Sequence, residues 1–205
     1  IMLFMIAPMW ITTKLMNIEK EALWFNLVSG AFRIMFFVSY LLMISLLKDV
    51  QRLFQYHGAE HRVVYNFESG NDLNVKNAQS FPTQHPRCGT SFLFIVFLSA
   101  IFVFALVDTI LIYFIGTISL PIRFFFHLPM IPFVTGIGYE LIKSSARIDS
   151  LFFNLLKKPG LWLQKITTKQ PEEDMVEVSI TALKEAFGDS YEDMTGKKYT
   201  AEAIG

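Results

Sequence analysis

A single cysteine, Cys88, leaves the chain nothing with which to close an internal disulfide. Its sulfur is therefore a free thiol, a metal ligand or a nucleophile, and a reducing compartment is its natural home. Charge is scarce as well. Only 18% of the 205 residues are Asp, Glu, Lys or Arg and the formal net charge is zero, which removes the electrostatic footprint of a nucleic-acid binder. A glycine-rich phosphate loop and a G-x-S-x-G elbow are both missing, so neither a nucleotide enzyme nor a serine hydrolase is indicated. The opening IMLFMIAPMW has no basic leader and no small-residue cleavage site, and it reads as the later part of a longer protein. No internal repeat or low-complexity block interrupts the chain.

What is abundant is oil. At 53% hydrophobic and 15% aromatic, the composition exceeds that of an ordinary soluble domain and predicts an all-α, multispanning membrane protein. About 20 apolar residues cross about 30 Å of hydrocarbon. Residues 22–47 form one such run with only Arg33 charged, residues 91–115 a second interrupted only by Asp108, and residues 121–142 a third ending near Glu140. The short GTISLP link implies an antiparallel hairpin of the last two. The organisation expected is N-terminal spans over 1–47, a cytoplasmic metal-binding helix and loop over 48–90 and a transmembrane hairpin over 91–143. A cytoplasmic helical segment over 144–188 and a loosely ordered tail over 189–205 follow.

Basic residues set the orientation. Lys48, Arg52, Arg62, Lys76 and Arg87 lie in the polar loop, and Lys143, Arg147, Lys157, Lys158, Lys165 and Lys169 follow the last span. Two spans separate these groups, so both fall on one face, and retention of basic residues makes that face cytoplasmic or its organellar equivalent. Further on, PEEDMVEVSITALKEAFG reads as an amphipathic helix. Pro171 suits its first turn, Glu172, Glu173 and Asp174 its positive end, and Gly188 its stop. Val176, Ile180, Leu183 and Phe187 make its apolar stripe.

The chemistry concentrates in the polar loop. In KDVQRLFQYHGAEHRVVYNF, Phe54, His57, His61 and Val64 recur at helical spacing, which brings the two imidazoles within about 5–6 Å at Cβ. Glu60 flanks them like the glutamate of the H-x-x-E-H zinc motif, a general base beside a metal. HPRCG follows with the x-x ligand spacing, proline and glycine of a zinc knuckle, a histidine standing at the first ligand position. His57, His61, His85 and Cys88 together make a set of imidazoles and one thiolate suited to Zn2+ or another transition metal. The bland alternative makes the histidines interfacial residues and Cys88 a small buried hydrophobe. Against it, three of the four histidines and the cysteine fall within 32 residues on one side of the membrane. Four ligands closing a tetrahedron argue for a structural site; one ligand displaced would leave an opening, with Glu60 as base for hydrolysis. Cys88 as a nucleophile paired with a histidine is a weaker reading, since no third orienting group is evident. Glu68 lies on the same stripe but about 10 Å along the helix from His61, within reach of the metal only if the helix ends first.

Arg33, Asp108, His127 and Glu140 sit in or near spans, where ionisable groups are costly unless paired. Asp108 is expected to pair with Arg33. In GIGYE, Gly136 and Gly138 permit close helix approach. Glu140 is expected near the HGAEH helix, accepting from a ligating histidine or pairing with Arg52 or Arg87.

KDVQRLFQYHGAEH, the spaced Glu68, HPRCGTSFL, GIGYELI and QKITTKQPEEDMVEVSITALK resemble the YqhQ-like family of bacterial and plastid membrane proteins of unknown function. The similarity runs from about residue 26 to 187. The family carries a glycine-rich N-terminal region before the first span that is not seen in this sequence. The resemblance implies a bacterial cytoplasmic or plastid membrane location and metal binding; its description as a metal-dependent enzyme rests on motifs of the kind above. Three functions remain open: a metal-stabilised scaffold or accessory subunit contacting a membrane-protein partner or a second copy, a zinc-dependent hydrolase of peptide or lipid with Glu60 as base, and transport along Arg33, Asp108 and Glu140.

Overall fold

The computed structural model describes residues 2–18, 20–148 and 150–197, and every regular element in them is helical. In chain order the α-helices are α1 (Ala7–Lys14), α2 (Ala22–Ile44), α3 (Lys48–Ser69), α4 (Val75–Gln79) and α5 (Gly89–Ile115). Then come α6 (Leu120–His127), α7 (Ile131–Arg147), α8 (Leu151–Thr167), α9 (Glu173–Phe187) and α10 (Tyr191–Met194). Among the described residues, three stretches are long and apolar enough to cross a membrane: Ala22–Ile44, Gly89–Ile115 and Leu120–Ser145. The chain divides into two compact units, Ile1–Tyr40 with Phe92–Lys143, and Leu41–Ser91 with Ser144–Gly205.

The first unit is built from the apolar helices. Its opening residues, Met2–Ile6, form a π-turn that runs into α1, and Phe4 meets Phe37 and Tyr40 of α2 edge-on. Met5, Met9 and Phe25 bury one another against Leu120 and Phe124. The third apolar stretch is not one smooth helix. Pro129 and Pro132 each lack an amide donor, and between α6 and α7 the chain tightens into a 3-10 turn over Leu128–Met130. Gly138 of α7 lies against Val96 of α5, whereas Gly136 faces open space.

The second unit is an amphipathic helical cluster organised by α3. Ala59, Val63 and Phe67 recur every fourth residue, and this stripe packs on α9 and α4. The core there is Ala59, Val63, Ala78, Met175, Val176 and Ile180. The α9 stripe expected from sequence is the one buried, with Leu183 partly covered and Phe187 stacked on Phe67. α3 stops at Gly70, whose φ of +74° is the left-handed cap that glycine adopts without strain. Asn74 then caps α4 through a 2.9 Å bond from the Asn77 amide to its side chain. Of the tail read as aperiodic over 189–205, the described part reaches Lys197. A 3-10 turn leads into α10, Tyr191 lies against Phe67, and the Gly196 amide donates to the Phe67 carbonyl at 2.9 Å. Residues 198–205 lie outside the described residues.

Candidate metal centre

The site lies within the second unit, on the face of α3 opposite its α9 stripe. Helical spacing puts His57, Gly58 and His61 on that face, and two segments cover it: residues 81–88, ending in the HPRC turn, and the last residue of α8, Thr167, with residues 168–170 that follow it. The turn is set by its own sequence. The Cys88 amide donates to the His85 carbonyl at 3.3 Å, closing a four-residue turn with Pro86 at its second position, where proline's fixed φ is already correct. Cys88 therefore stands immediately before the first residue of α5.

A buried side chain fixes the turn. Gln164 of α8 is fully buried; its Oε1 accepts from the His85 amide at 2.7 Å, and its Nε2 donates to the His85 carbonyl at 2.8 Å and to Ser91 Oγ at 2.9 Å. One amide group thus acts as a backbone surrogate on both sides of the turn. The glycine of HGAEH has an equally direct reason. A Cβ at Gly58 would collide with the Lys169 carbonyl, so glycine lets residues 167–169 lie directly on α3. The Lys169 amide is held to the Phe54 carbonyl at 2.9 Å.

These contacts orient the imidazoles. His57 Nδ1 donates to the Thr167 carbonyl at 2.8 Å, and His61 Nδ1 donates to the Thr83 carbonyl at 2.5 Å. A carbonyl only accepts, so each Nδ1 carries a proton and each neutral ring offers its lone pair at Nε2. His57 Nε2 is 3.1 Å from Cys88 Sγ, and the donor atoms of His57, His61 and Cys88 all lie within 4.8 Å of one another. His61 and Cys88 are buried and His57 is half-buried.

His85 is close but turned elsewhere. Its ring lies 5.7 Å from that of His61 and 4.5 Å from Tyr65, while its Nδ1 accepts the Arg87 amide at 3.3 Å and its Nε2 stands 3.4 Å from the Arg87 guanidinium. Arg87 is in turn ion-paired with Glu68, which α3 carries out to its last turn. Glu68 therefore stands away from the three-donor group, as the uninterrupted helix requires. Glu60 is exposed on the flank of α3, and Glu140 is exposed on α7 in the other unit.

Electrostatics follow the geometry. Burial opposes ionisation of Cys88, but hydrogen bonds from His57, His61 and Thr90 outweigh it and bring the thiol from 9.0 down to about 5. The start of α5 adds a favourable dipole end. The hydrogen bond to Cys88 raises His57 above its usual 6.5, against burial. The short contact between His57 Nε2 and Cys88 Sγ thus favours the thiolate, the reactive form of a thiol. Burial, then the charges of Arg87 and His61, push His85 down to about 3, so it stays neutral at physiological pH.

Sequence reading missed Gln164, Thr167 and Thr83. All three act through backbone contacts, and their one signal was the QKITT string, which supplies the first two. It also missed Arg123. In the first unit Asp108 accepts from Arg123, from His127 Nε2 at 2.9 Å and from Asn26 at 2.7 Å, so Arg123 holds the place expected of Arg33. The spacing of Arg123 and His127, four apart after Pro121, was the available clue.

An all-helical protein with three membrane-length apolar helices and a His-His-Cys cluster in a separate polar unit is the class these observations define. The chain belongs to the family described as "Protein of unknown function (DUF1385)", which it matches over residues 1–189. It is similar to "Uncharacterized protein YqhQ" of Bacillus subtilis (strain 168), 34% identical over 159 residues that cover 77% of this chain and 48% of the relative. The chain thus spans about half the length of that curated relative. No solved structure matches.

Proposed function

We propose that this is an integral membrane protein carrying a zinc-type centre held by His57, His61 and Cys88, with a position left open for a water or substrate atom, and that its activity is metal-dependent hydrolysis. The observation that carries this reading is the convergence of three donor atoms whose two imidazoles are each tied back through Nδ1 to a carbonyl. Outer hydrogen bonds of this kind orient metal-ligating histidines. The donor set of two imidazoles and a thiolate suits zinc rather than calcium or magnesium, and three protein ligands with a vacancy characterise catalytic zinc. Zinc so held supplies Lewis acidity. The chain supplies Glu60, the exposed carboxylate beside His61, as general base toward a peptide or lipid substrate near the membrane. The asymmetry of basic residues supports the cytoplasmic side of a bacterial membrane, or the stromal side of a plastid one, as the location of the centre.

A second reading rests on His85, whose ring is 5.7 Å from His61. Rotation of that ring away from Arg87 would complete a closed structural site, and the protein would serve as a scaffold for a membrane partner or a second copy. Cobalt substitution of the purified protein separates the two. A thiolate-to-cobalt absorption band lost in Cys88→Ser, His57→Ala and His61→Ala but kept in His85→Ala supports the open centre; loss in His85→Ala supports the closed one. Absence of any stoichiometric metal from protein refolded or expressed with zinc sinks both. Glu60→Gln should retain metal and lose hydrolysis; unchanged turnover removes Glu60 as base.

A further inference from the structure

The outward face of α8 is apolar where a helix of a polar unit should meet water. Its inward face is conventional: Gly160, Leu163, Gln164 and Thr167 recur at helical spacing and are buried. At about 3.6 residues per turn, Leu151, Leu155 and Trp162 fall on the opposite side, and Pro159, Ile166 and Phe152 widen the stripe to about 100°. Leu151, Phe152, Leu155 and Trp162 are 77%, 64%, 51% and 62% exposed. A contiguous apolar face of this kind marks a contact surface. Spanning the bilayer does not account for it. The helix has 17 residues, carries Lys157, Lys158, Lys165 and an interior Pro159, and is not among the membrane-length helices of the described residues.

Charge narrows the choice of occupant. Lys158 and Lys165 border the stripe on one side with Lys157 behind them, and no Asp or Glu occurs between Ser150 and Pro171. A basic border beside exposed Leu, Phe and Trp is the pattern of a helix lying in a membrane interface, where lysine stems run along apolar surface and their ammonium groups reach phosphates. Position then fixes the depth. Gln164 Nε2 donates to Ser91 Oγ at 2.9 Å and a Cβ at Gly160 would collide with Ser91, so two successive turns of α8 rest on the third residue of α5, within the second unit. With 27 residues, α5 is about 40 Å long against about 30 Å of hydrocarbon, which leaves its first few residues in the headgroup layer. The backbone of α8 suits that level. Pro159 offers no amide to the Leu155 carbonyl, an acceptor that water satisfies and hydrocarbon does not.

We infer that α8 is an in-plane membrane helix whose Leu151, Leu155 and Trp162 face is seated at the acyl boundary of an anionic phospholipid surface, with Lys158 and Lys165 at the lipid phosphates. The opposite face carries Gln164 and Thr167, so the helix that touches lipid is also the one that holds the HPRC turn and His57. The lipid contact stands on these observations alone, independently of what His57, His61 and Cys88 bind.

Fluorescence of Trp162 tests this in the purified full chain in nanodiscs. Trp10→Phe and Trp24→Phe leave Trp162 as the lone indole; if that background does not fold, the wild-type signal minus that of Trp162→Phe isolates it. Lipids brominated near the headgroup end of the acyl chain should quench Trp162 more than lipids brominated near the methyl end, and aqueous acrylamide should quench it weakly. At equal mole fraction, brominated phosphatidylglycerol should quench several-fold more effectively than brominated phosphatidylcholine, and Lys165→Glu should reduce that preference. An indole open to acrylamide and untouched by brominated lipid overturns the proposal. So does one shielded from both quenchers, as a second copy or another protein on this face would leave it. Stronger quenching from the methyl end, equal quenching by the two headgroups, or a preference unchanged in Lys165→Glu would each overturn it as well.

Discussion

Gly58→Ala tests the architecture of the metal centre through a single methyl group. On an isolated helix the substitution stabilises by about 1 kcal/mol, because alanine is the better helix former. Here the new Cβ meets the Lys169 carbonyl, a backbone atom rather than a flexible side-chain end. Ordinary carbon–oxygen contact is about 3.3–3.6 Å, so residues 167–169 must move outward by roughly 1 Å. Overpacking of this kind costs about 1–3 kcal/mol, and loss of the Lys169–Phe54 backbone bond adds about 1 kcal/mol. The net expectation is a destabilisation of about 1–3 kcal/mol. The same displacement takes the Thr167 carbonyl away from His57 Nδ1, now 2.8 Å distant. Losing an outer partner of a ligating histidine lowers metal affinity about 10–100-fold. Denaturant unfolding and a competitive zinc titration with a chromophoric chelator measure the two effects. A variant more stable than wild type that binds zinc equally well would refute the packing argument and the role given to Thr167 together.

Two further outcomes follow from the same geometry. Gln164→Leu strips three hydrogen bonds from the His85–Ser91 turn and leaves buried backbone groups unmet; it should cost on the order of 3 kcal/mol in urea unfolding and broaden the cobalt spectrum, whereas an exposed control such as Lys158→Leu should do neither. The His85 ring, held near 3 in the folded state against 6.5 when unfolded, means that the unfolded chain binds the extra proton between those values. Stability is then full above about pH 6.5 and falls as the pH drops toward 3, by on the order of 4 kcal/mol for this group, and His85→Gln should flatten that part of the unfolding profile.

Much of this protein is local chemistry and was readable as such. The apolar runs had to be helices because only a helix satisfies every backbone group within one segment in hydrocarbon. The α9 stripe followed from its spacing of apolar residues, and the pairing of His57 with His61 from one helical turn. The HPRC turn followed from proline's fixed φ. Other features depend on residues distant in sequence, and no periodicity encodes them. Gln164 reaches back 79 positions to His85, and Thr167 reaches 110 positions to His57. The glycine of HGAEH looked like part of a motif, but its cause is a strand of backbone from beyond α8 lying on α3.

The tertiary structure alone decided between candidate partners. Arg87 was a choice of ion pair for Glu140, and the fold gives it to Glu68 while turning His85 away from the three-donor group. Asp108 was a partner for Arg33, and the fold gives it to Arg123 and His127. The reason is common to both cases. Residue type and helical period fix what a side chain is able to bind and which face it occupies, but hydrogen bonds are satisfied only within about 3 Å. Which of several chemically equivalent groups comes that close is set by how helices pack.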